Sequence, residues 1–266
     1  MTRVIDYEYV VCESIVRPPN SQAMTRLSDY DLTLIIPVYN EEDNMERLVQ
    51  TVSSYLPCCP RRACALFVND GSTDQSLRCI REACRRDGLF YISWQRNRGL
   101  SAALKAGIDT AQSPLVAYMD ADMQTDIRDL SLLLQHADEY PLVCGIRANR
   151  RDTLSKRFQS RFANGFRRMM THDGATDTGC PLKVMQTAYA KRLPLFTGMH
   201  RFLPALILLQ EGGAFKELPV RHYPRQAGTS KFSVWNRLLG PLQDCFAYRW
   251  MKTRYINYTI SESNLP

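Results

Sequence analysis

Short apolar runs alternate with longer amphipathic segments along the first half of the chain. After 30 residues with little periodicity, five apolar runs of strand length follow one another, at 32–36, 65–68, 89–93, 115–119 and 142–144. Between these runs, apolar residues recur at helical spacing in the segments 41–56, 73–86, 100–111 and 126–139. This alternation predicts an α/β protein whose mainly parallel central sheet is flanked by helices on both faces.

The pattern changes beyond residue 145. One apolar helical stripe is formed by Phe158, Phe162, Phe166 and Met169. A second helical pattern covers residues 235–246, and we expect a break in it at Gly240 and Pro241. We therefore predict an N-terminal extension (1–30), a main domain (31–232) and C-terminal amphipathic helices (233–266), which either associate with a membrane or pack on the sheet.

Composition limits the class of protein further. Hydrophobic residues make up 45% and charged residues 23% of the chain, as in soluble globular proteins. Nine cysteines at irregular spacing favour reduced cytosolic thiols over a disulfide framework. No apolar run approaches the roughly 20 residues that span a bilayer, so a membrane role would have to be peripheral. The net charge of +7 indicates either an anionic partner or simple solubility.

Two carboxylates one residue apart, Asp120 and Asp122, directly follow the fourth apolar run. Open α/β sheets bind ligands beyond the carboxyl ends of their strands. Carboxylates at that position can share a divalent cation, and the cation can neutralise a nucleotide diphosphate. The alternative interpretation is a solvated acidic turn.

Polar residues also follow the first two runs. Glu41 and Asp70 can accept hydrogen bonds from a base or a ribose, whereas Asn40 and Ser72 can instead be helix N-caps. No glycine-rich dinucleotide motif, P-loop or nucleophile motif is present, which disfavours dehydrogenases and P-loop phosphotransferases. His200 has two open interpretations, substrate contact and a structural role.

Five short motifs, taken together and in order, resemble those of family 2 glycosyltransferases. They are Pro37-x-Tyr39-Asn40-Glu41, Asn69-Asp70-Gly71-Ser72, Asn97-x-Gly99, Asp120-x-Asp122-x-Gln124 and Arg225-x-x-Gly228-x-Ser230-Lys231. Within that family the chain is most similar to dolichol-phosphate mannose synthases and polyprenyl-phosphate glycosyltransferases, over about residues 30–235. The resemblance implies a GT-A fold, a UDP- or GDP-linked sugar donor and a magnesium or manganese ion.

The resemblance also implies roles for individual residues. The nucleoside would be held by Pro37, Tyr39, Glu41 and Asp70. The metal would be bound by Asp120, Asp122 and Gln124, with Asp120 also contacting the donor. The donor diphosphate would be covered by Arg225, Ser230 and Lys231. The acceptor phosphate would be held by Arg147, Arg157 and Ser160, of which the two arginines would act in catalysis with the two aspartates. The segment Asp177-Thr178-Gly179-Cys180 would lie beneath the acceptor.

The resemblance thus implies an inverting glycosyltransferase that moves a sugar to a polyprenyl phosphate at the cytoplasmic face of the membrane, as a peripheral enzyme of cell-envelope biogenesis. A lipid phosphate is already anionic, which accounts for the lack of an evident catalytic base. One alternative is transfer to a hydroxyl of a glycan or a lipid A-type acceptor, for which Asp177 is the candidate base. A second alternative is a catalytically silent nucleotide-binding scaffold. A nucleic-acid partner is not predicted, and the sequence leaves the oligomeric state open.

Overall fold

The structure, a computed structural model, describes residues 25–147, 165–224, 234–257 and 261–262. Five residues with roles predicted from the resemblance lie outside these ranges: Arg157, Ser160, Arg225, Ser230 and Lys231. Most of the predicted N-terminal extension also lies outside them. Its last described residue, Tyr30, is buried and packs edge-to-face against Phe90 with ring centroids 6.0 Å apart.

The described residues form a seven-stranded sheet with the order β3-β2-β1-β4-β6-β5-β7. Its strands are β1 (Leu32–Val38), β2 (Ala63–Asp70), β3 (Leu89–Trp94), β4 (Leu115–Tyr118), β5 (Leu142–Arg147), β6 (Lys183–Gln186) and β7 (Phe215–Val220). The pairs β1–β2, β1–β4, β2–β3 and β5–β7 are parallel, whereas β6 runs antiparallel to β4 and β5. The predicted mainly parallel α/β sheet is therefore confirmed.

Helices cover both faces of this sheet. They are α1 (Glu42–Tyr55), α2 (Ser76–Ala83), α3 (Leu100–Thr110), α4 (Leu130–Leu134), α5 (165–171), α6 (Thr187–Lys191), α7 (Leu203–Ile207) and α8 (Val234–Lys252). Successive side chains of β1 point to opposite faces of the sheet, as they do along any β-strand. Leu34 belongs to a core cluster with Leu48 of α1, and Ile35 to the opposite cluster with Leu104 of α3.

Two of the predicted helices differ from those observed. The segment 126–139 contains a 3-10 turn (Ile127–Asp129) and the short α4, and tight i to i+3 hydrogen bonds follow at His136 and Ala137. The segment is therefore helical in short 3-10 and α-helical pieces and does not form the one long helix that was predicted.

The predicted break at Gly240 and Pro241 is also wrong, because α8 continues through both residues. Pro241 removes one backbone donor, but Gly240 has no Cβ to collide with the proline ring. Tertiary contacts hold the helix beyond this point. Tyr248 is 1% exposed, stacks on Phe202 at 6.0 Å and donates a hydrogen bond to the Ala205 carbonyl at 3.3 Å.

The chain order around β1 creates a crevice at one edge of the sheet. From β1 the chain proceeds outward through β2 and β3, and it then returns to place β4 on the other side of β1. At such a switch point the two connecting loops leave in opposite directions, so the strand ends between them are open to a ligand. Residues 39–41 and 120–124 follow the two strands that flank this crevice.

Two further features concern the described residues as a whole. Their cysteines are all free thiols, as expected from the irregular spacing. Within the same ranges, no helix has both the length and the apolar character needed to cross a bilayer.

Candidate functional site

Side chains bind the ends of β1 and β2 to each other. Asn40, with a left-handed φ of 51°, accepts a hydrogen bond on Oδ1 from the Thr73 amide at 2.7 Å. The backbone amide of Asn40 donates a hydrogen bond to Ser72 Oγ at 3.0 Å. The N-cap alternative for Asn40 and Ser72 is therefore wrong, because the caps of α1 and α2 are Glu41 and Gln75. This cross-link fixes the loop that carries Tyr39 and Glu41 at the crevice.

Asp70 is a structural anchor as well as a predicted nucleoside ligand. Its Oδ1 accepts hydrogen bonds from Trp94 Nε1 at 2.7 Å and from the Arg98 amide at 2.6 Å, and its Oδ2 accepts from the Gly99 amide at 2.8 Å. A carboxylate offers about four acceptor sites, so these contacts occupy most of them. This structural role was not predicted from the sequence. The Asn97-x-Gly99 motif is held at the crevice by Asp70.

Gly71 explains why the second motif contains glycine. Its φ is +69°, and a Cβ at this position would lie 2.5 Å from the carbonyl carbon of Arg96. A side chain at residue 71 would therefore push the β3–α3 loop away from Asp70.

The two carboxylates after β4 lie close to one buried hydroxyl. Tyr118 donates a hydrogen bond to Asp120 Oδ1 at 2.5 Å. Burial raises the pKa of Tyr118 well above 10.0, and the charges of Asp120 and Asp122 raise it further. Asp122 is 8% exposed and accepts a hydrogen bond on Oδ1 from the Gln124 amide at 3.2 Å. Both carboxylates and Gln124 thus occupy one short turn at the crevice.

This turn contains an unusual backbone conformation at Met123, whose φ is +58°. Non-glycine residues rarely adopt this left-handed region, and such residues are found preferentially at ligand sites. Within the described ranges, no group of three His, Cys, Asp or Glu side chains is arranged to hold a metal. The turn itself carries two carboxylates, Asp120 and Asp122, and the side-chain amide of Gln124.

An ion-pair cluster ties the end of β7 to the turn after β4. The Arg221 amide and guanidinium both donate to the buried Asp129, with distances of 2.6 to 2.9 Å. Arg221 also contacts Asp126 at 3.2 Å, and the Tyr223 amide donates to the Gln124 carbonyl at 2.7 Å. The segment leading to the predicted basic motif at 225–231 is therefore anchored beside the paired aspartates.

This cluster was not predicted from the sequence. Its only local signal is the three-residue spacing of Asp126 and Asp129, which is equally typical of the start of a helix.

Arg147 lies at the end of β5, paired with Asp177. Its Nε donates to Asp177 Oδ2 at 2.8 Å and its Nη2 to Oδ1 at 2.7 Å, and the two side chains are 17% and 14% exposed. Burial opposes the ionisation of Asp177, but the hydrogen bonds and charge of Arg147 outweigh it and hold its pKa below 3.8. A Cβ on Gly179 would lie 2.8 Å from Arg147 Nη2, so glycine makes room for the guanidinium.

Lys183, which was not predicted from the sequence, lies between residues 178–180 and the ring of Tyr118. It is 1% exposed, and its Nζ donates to the carbonyls of Thr178, at 3.3 Å, and Cys180. The same ammonium lies 5.9 Å from the centre of the Tyr118 ring. Because β6 pairs with both β4 and β5, this buried cation is placed between the two halves of the candidate site.

His200 takes part in a structural contact. Its Nδ1 lies 2.7 Å from Ser101 Oγ, which also accepts a hydrogen bond from the Gly198 amide at 3.1 Å. Burial lowers the pKa of His200 to about 3, and the charge of Arg201 contributes. The contact joins the segment before α7 to the first turn of α3, behind the loop that Asp70 anchors.

The low pKa of His200 predicts a loss of stability in mild acid. The unfolded chain takes up a proton near pH 6.5 and the folded chain only near pH 3, so the free energy of unfolding should fall as the pH is lowered between these values. The expected slope is at most about 1.4 kcal/mol per pH unit. Urea unfolding of the wild type and of His200→Asn, measured from pH 7 to pH 4, should show a shallower slope for the variant. Parallel slopes would contradict the assignment.

The family model that matches the chain is glycosyl transferase family 2, over residues 33–192. The chain belongs to this family. The match begins in β1, includes the paired aspartates and extends to the end of α6, so it contains most of the described candidate site.

Relatives with curated descriptions act on polyprenyl phosphates. The chain is 35% identical over 210 residues to dodecaprenyl-phosphate galacturonate synthase from Rhizobium johnstonii, covering 77% of this chain and 62% of the relative. It is 30% identical over 208 residues to undecaprenyl-phosphate 4-deoxy-4-formamido-L-arabinose transferase from Edwardsiella ictaluri, covering 76% of this chain and 63% of the relative. The matched part thus spans less than two thirds of the length of these relatives.

Solved structures share the GT-A fold. Glucosyl-3-phosphoglycerate synthase from Mycobacterium tuberculosis, crystallised with Mn²⁺, UDP-glucose and phosphoglyceric acid, aligns with a TM-score of 0.63 at 13% identity, over 88% of this chain and 85% of the other. A mannosyltransferase from Pyrobaculum calidifontis in complex with GDP-mannose and Mn²⁺ aligns with a TM-score of 0.58 at 17% identity. The alignment covers 87% of this chain and 66% of the mannosyltransferase. The GT-A fold expected from the motifs is therefore confirmed.

Proposed function

We propose that the chain transfers a sugar from a nucleotide diphosphate to a polyprenyl phosphate, with inversion at the anomeric carbon. The observation that carries the proposal is the pair Asp120 and Asp122 at the switch point of the sheet, linked through Tyr118 and Lys183 to the segment that pairs with Arg147. In our proposal, Asp120 and Asp122 serve the donor and Arg147 binds the acceptor anion from the neighbouring part of the same sheet. The names of the relatives support the choice of acceptor.

A divalent ion such as Mg²⁺ or Mn²⁺ suits the ligands at the turn after β4. Carboxylate and amide oxygens are hard ligands, and two carboxylates with one amide leave coordination positions for diphosphate oxygens and water. In our proposal Asp120, Asp122 and Gln124 hold the ion. When bound, such an ion stabilises the negative charge of the departing nucleoside diphosphate.

The protein's own contribution is binding, orientation and charge compensation. Pro37, Tyr39, Glu41 and Asp70 are proposed to hold the nucleoside, and Arg225, Ser230 and Lys231 to cover the diphosphate. The anchoring of Arg221 on Asp129 supports this placement of the later segment. These residues fix the donor so that one face of its anomeric carbon is open to the acceptor.

On the acceptor side, Arg147, Arg157 and Ser160 are proposed to orient the lipid phosphate. One phosphate oxygen attacks the anomeric carbon while the bond to the diphosphate oxygen breaks, which inverts the configuration. The attacking oxygen is already ionised at neutral pH and therefore needs no base. Charge-assisted hydrogen bonds from Arg147 would hold it in line.

The geometry of Asp177 disfavours the alternative with a hydroxyl acceptor. That reaction needs a base, and Asp177 is the candidate named by the sequence. Both of its oxygens accept hydrogen bonds from Arg147, and its pKa lies below 3.8. A carboxylate of such low basicity accepts a proton from a hydroxyl poorly at neutral pH.

The test is a transfer assay on the purified chain. It uses undecaprenyl phosphate, Mn²⁺ and a panel of UDP- and GDP-linked sugars, among them galacturonate and formamido-arabinose donors. We expect a lipid product that is cleaved by mild acid, because a glycosyl phosphate is acid-labile. An acid-stable glycoside formed on a hydroxyl acceptor would instead establish the alternative. The absence of both transfer and donor hydrolysis would indicate a silent scaffold.

We predict that Tyr118→Phe weakens metal binding by about 10- to 100-fold, because Tyr118 fixes the orientation of Asp120 without touching the ion itself. Titration of the free protein with Mn²⁺, followed by electron paramagnetic resonance, measures this without turnover. Tyr55→Phe is the matched control, since its buried hydroxyl contacts Ser131 at 3.0 Å, away from the turn. Equal Mn²⁺ affinity of wild type and Tyr118→Phe would refute the role.

A further inference from the structure

Arg201 lies in a short 3-10 turn (Met199–Phe202) directly before α7. This turn is fastened to α3. Ser101 Oγ, in the first turn of α3, lies 2.7 Å from His200 Nδ1 and accepts a hydrogen bond from the Gly198 amide at 3.1 Å. The two contacts fix the backbone that carries Arg201 against the start of α3.

The same end of α3 borders the candidate donor site. Gly99, the N-cap residue of α3, donates a hydrogen bond from its backbone amide to Asp70 Oδ2 at 2.8 Å. Ser101 follows two residues later and is buried. Arg201 is therefore connected, through Ser101 and Gly99, to the carboxylate at the end of β2 beside the crevice.

Helix α8 holds the turn from the other side. Gly198 has a φ of +90°, which favours glycine, and a Cβ at this position would collide with the carboxylate of Asp244 on α8. The close approach of α8 therefore requires glycine directly before the turn. Arg201 is thus held between α3 and α8 at one side of the crevice.

The guanidinium of Arg201 is available for an anion. Its Nη1 lies 3.8 Å from Asp244 Oδ2, an ion pair without a hydrogen bond, and the side chain is 36% exposed. It donates no hydrogen bond to any residue that the structure describes. Arg147 differs, because its Nε and Nη2 both donate to Asp177. The N–H groups of Arg201 therefore remain for a ligand.

Among the described residues, the charged groups near Arg201 favour an anion. The acid is Asp244, and a further cation is Lys183, which is buried and held by backbone carbonyls. Burial lowers the pKa of His200 to about 3, and the charges of Arg201 and Lys183 lower it further, so this imidazole is neutral at pH 7. Two cations thus accompany one carboxylate, which attracts anions to this side of the crevice.

We propose that Arg201 binds a phosphoryl group at this side of the crevice. A guanidinium matches phosphate oxygens with two parallel hydrogen bonds, which the ammonium of a lysine does not reproduce. The inference rests on the proposed function, which brings two phosphoryl groups into the crevice, the donor diphosphate and the lipid phosphate. Binding by Arg201 would supplement Arg147, whose guanidinium is already engaged by Asp177.

Calorimetric titration of the purified full chain tests the proposal without turnover. One probe is farnesyl phosphate, a short prenyl phosphate, and the other is UDP or GDP with Mn²⁺. Arg201→Met should weaken the binding of one probe about 10- to 100-fold, because it removes a charge-assisted pair of hydrogen bonds. A loss with farnesyl phosphate would assign Arg201 to the acceptor, and a loss with the nucleotide would assign it to the donor.

Two further variants are controls. Arg201→Lys keeps the positive charge but not the planar fork, so its affinity should lie between those of the wild type and Arg201→Met. Arg192→Met removes a guanidinium at the end of α6, 4.7 Å from the centre of the Tyr189 ring. It should bind both probes like the wild type.

Three outcomes would overturn the proposal. The first is unchanged affinity of Arg201→Met for both probes, and the second is no binding of either probe to the wild type. The third is equal loss of both probes together with a lowered unfolding temperature, which would make Arg201 a structural residue. Failure of the proposed function looks different, because Arg201-dependent binding of a probe would persist without sugar transfer.

Discussion

Asp122→Asn is expected to reduce sugar transfer about 1,000-fold while leaving the fold intact. The substitution preserves the shape of the side chain but removes one of the two negative charges at the turn after β4. Loss of one preorganised charge-stabilising group typically costs two to three orders of magnitude in rate. Initial rates with saturating donor and Mn²⁺ measure the effect, and thermal unfolding verifies the fold.

A matched control variant tests whether the loss of any carboxylate, or only the loss of the one at residue 122, lowers the rate. Asp109→Asn removes an exposed carboxylate that pairs with Lys105 at 2.8 Å on α3, and it should retain the wild-type rate. Thermal shifts with Mn²⁺ in the absence of donor add a second readout, since stabilisation by the ion should disappear in Asp122→Asn alone. Near-normal turnover of Asp122→Asn would remove the basis of the metal assignment.

Arg147→Met is expected to destabilise the protein and to impair acceptor use. It leaves Asp177 charged and mostly buried without its partner, which costs about 3 kcal/mol at neutral pH. It also removes a proposed ligand of the acceptor phosphate, so KM for the lipid should rise at least tenfold while KM for the donor changes little. Urea unfolding and steady-state kinetics in detergent measure the two effects separately.

The pH dependence of this destabilisation has a definite sign. In the wild type the pKa of Asp177 is depressed, so its contribution to stability is present above pH 3.8 and is lost as the pH falls through the folded pKa. Without Arg147 the carboxylate is protonated more readily, and the gap between the wild type and Arg147→Met should narrow on acidification.

A double variant tests whether stability and activity are separable. Adding Asp177→Asn to Arg147→Met removes the unpaired charge and should restore much of the stability, but not the use of the acceptor. If acceptor use returned together with stability, Arg147 would be a structural residue only.

The amino-acid sequence by itself determined the class of fold and the positions of the polar strand ends. Apolar runs of four or five residues separated by amphipathic segments specify strands and helices locally. The reason is that a strand buried on both faces needs consecutive apolar residues, whereas a helix buried on one face needs apolar residues at helical spacing. The four strand–helix units up to residue 139 were accordingly found in the right order. The motif around Asp120 and Asp122 was located for the same reason, since it follows directly from the end of an apolar run.

The tertiary structure alone decided which side chains support these motifs. The contacts between Arg221 and Asp129, between Lys183 and the Tyr118 ring, and between Asp70 and the Arg98 amide join residues that are far apart in the chain. The first two depend on the insertion of antiparallel β6 between β4 and β5, and the third on the parallel pairing of β2 with β3, arrangements that local periodicity does not encode. The continuity of α8 through Gly240 and Pro241 has the same origin, because the buried contacts of Tyr248 outweigh a local helix-breaking signal.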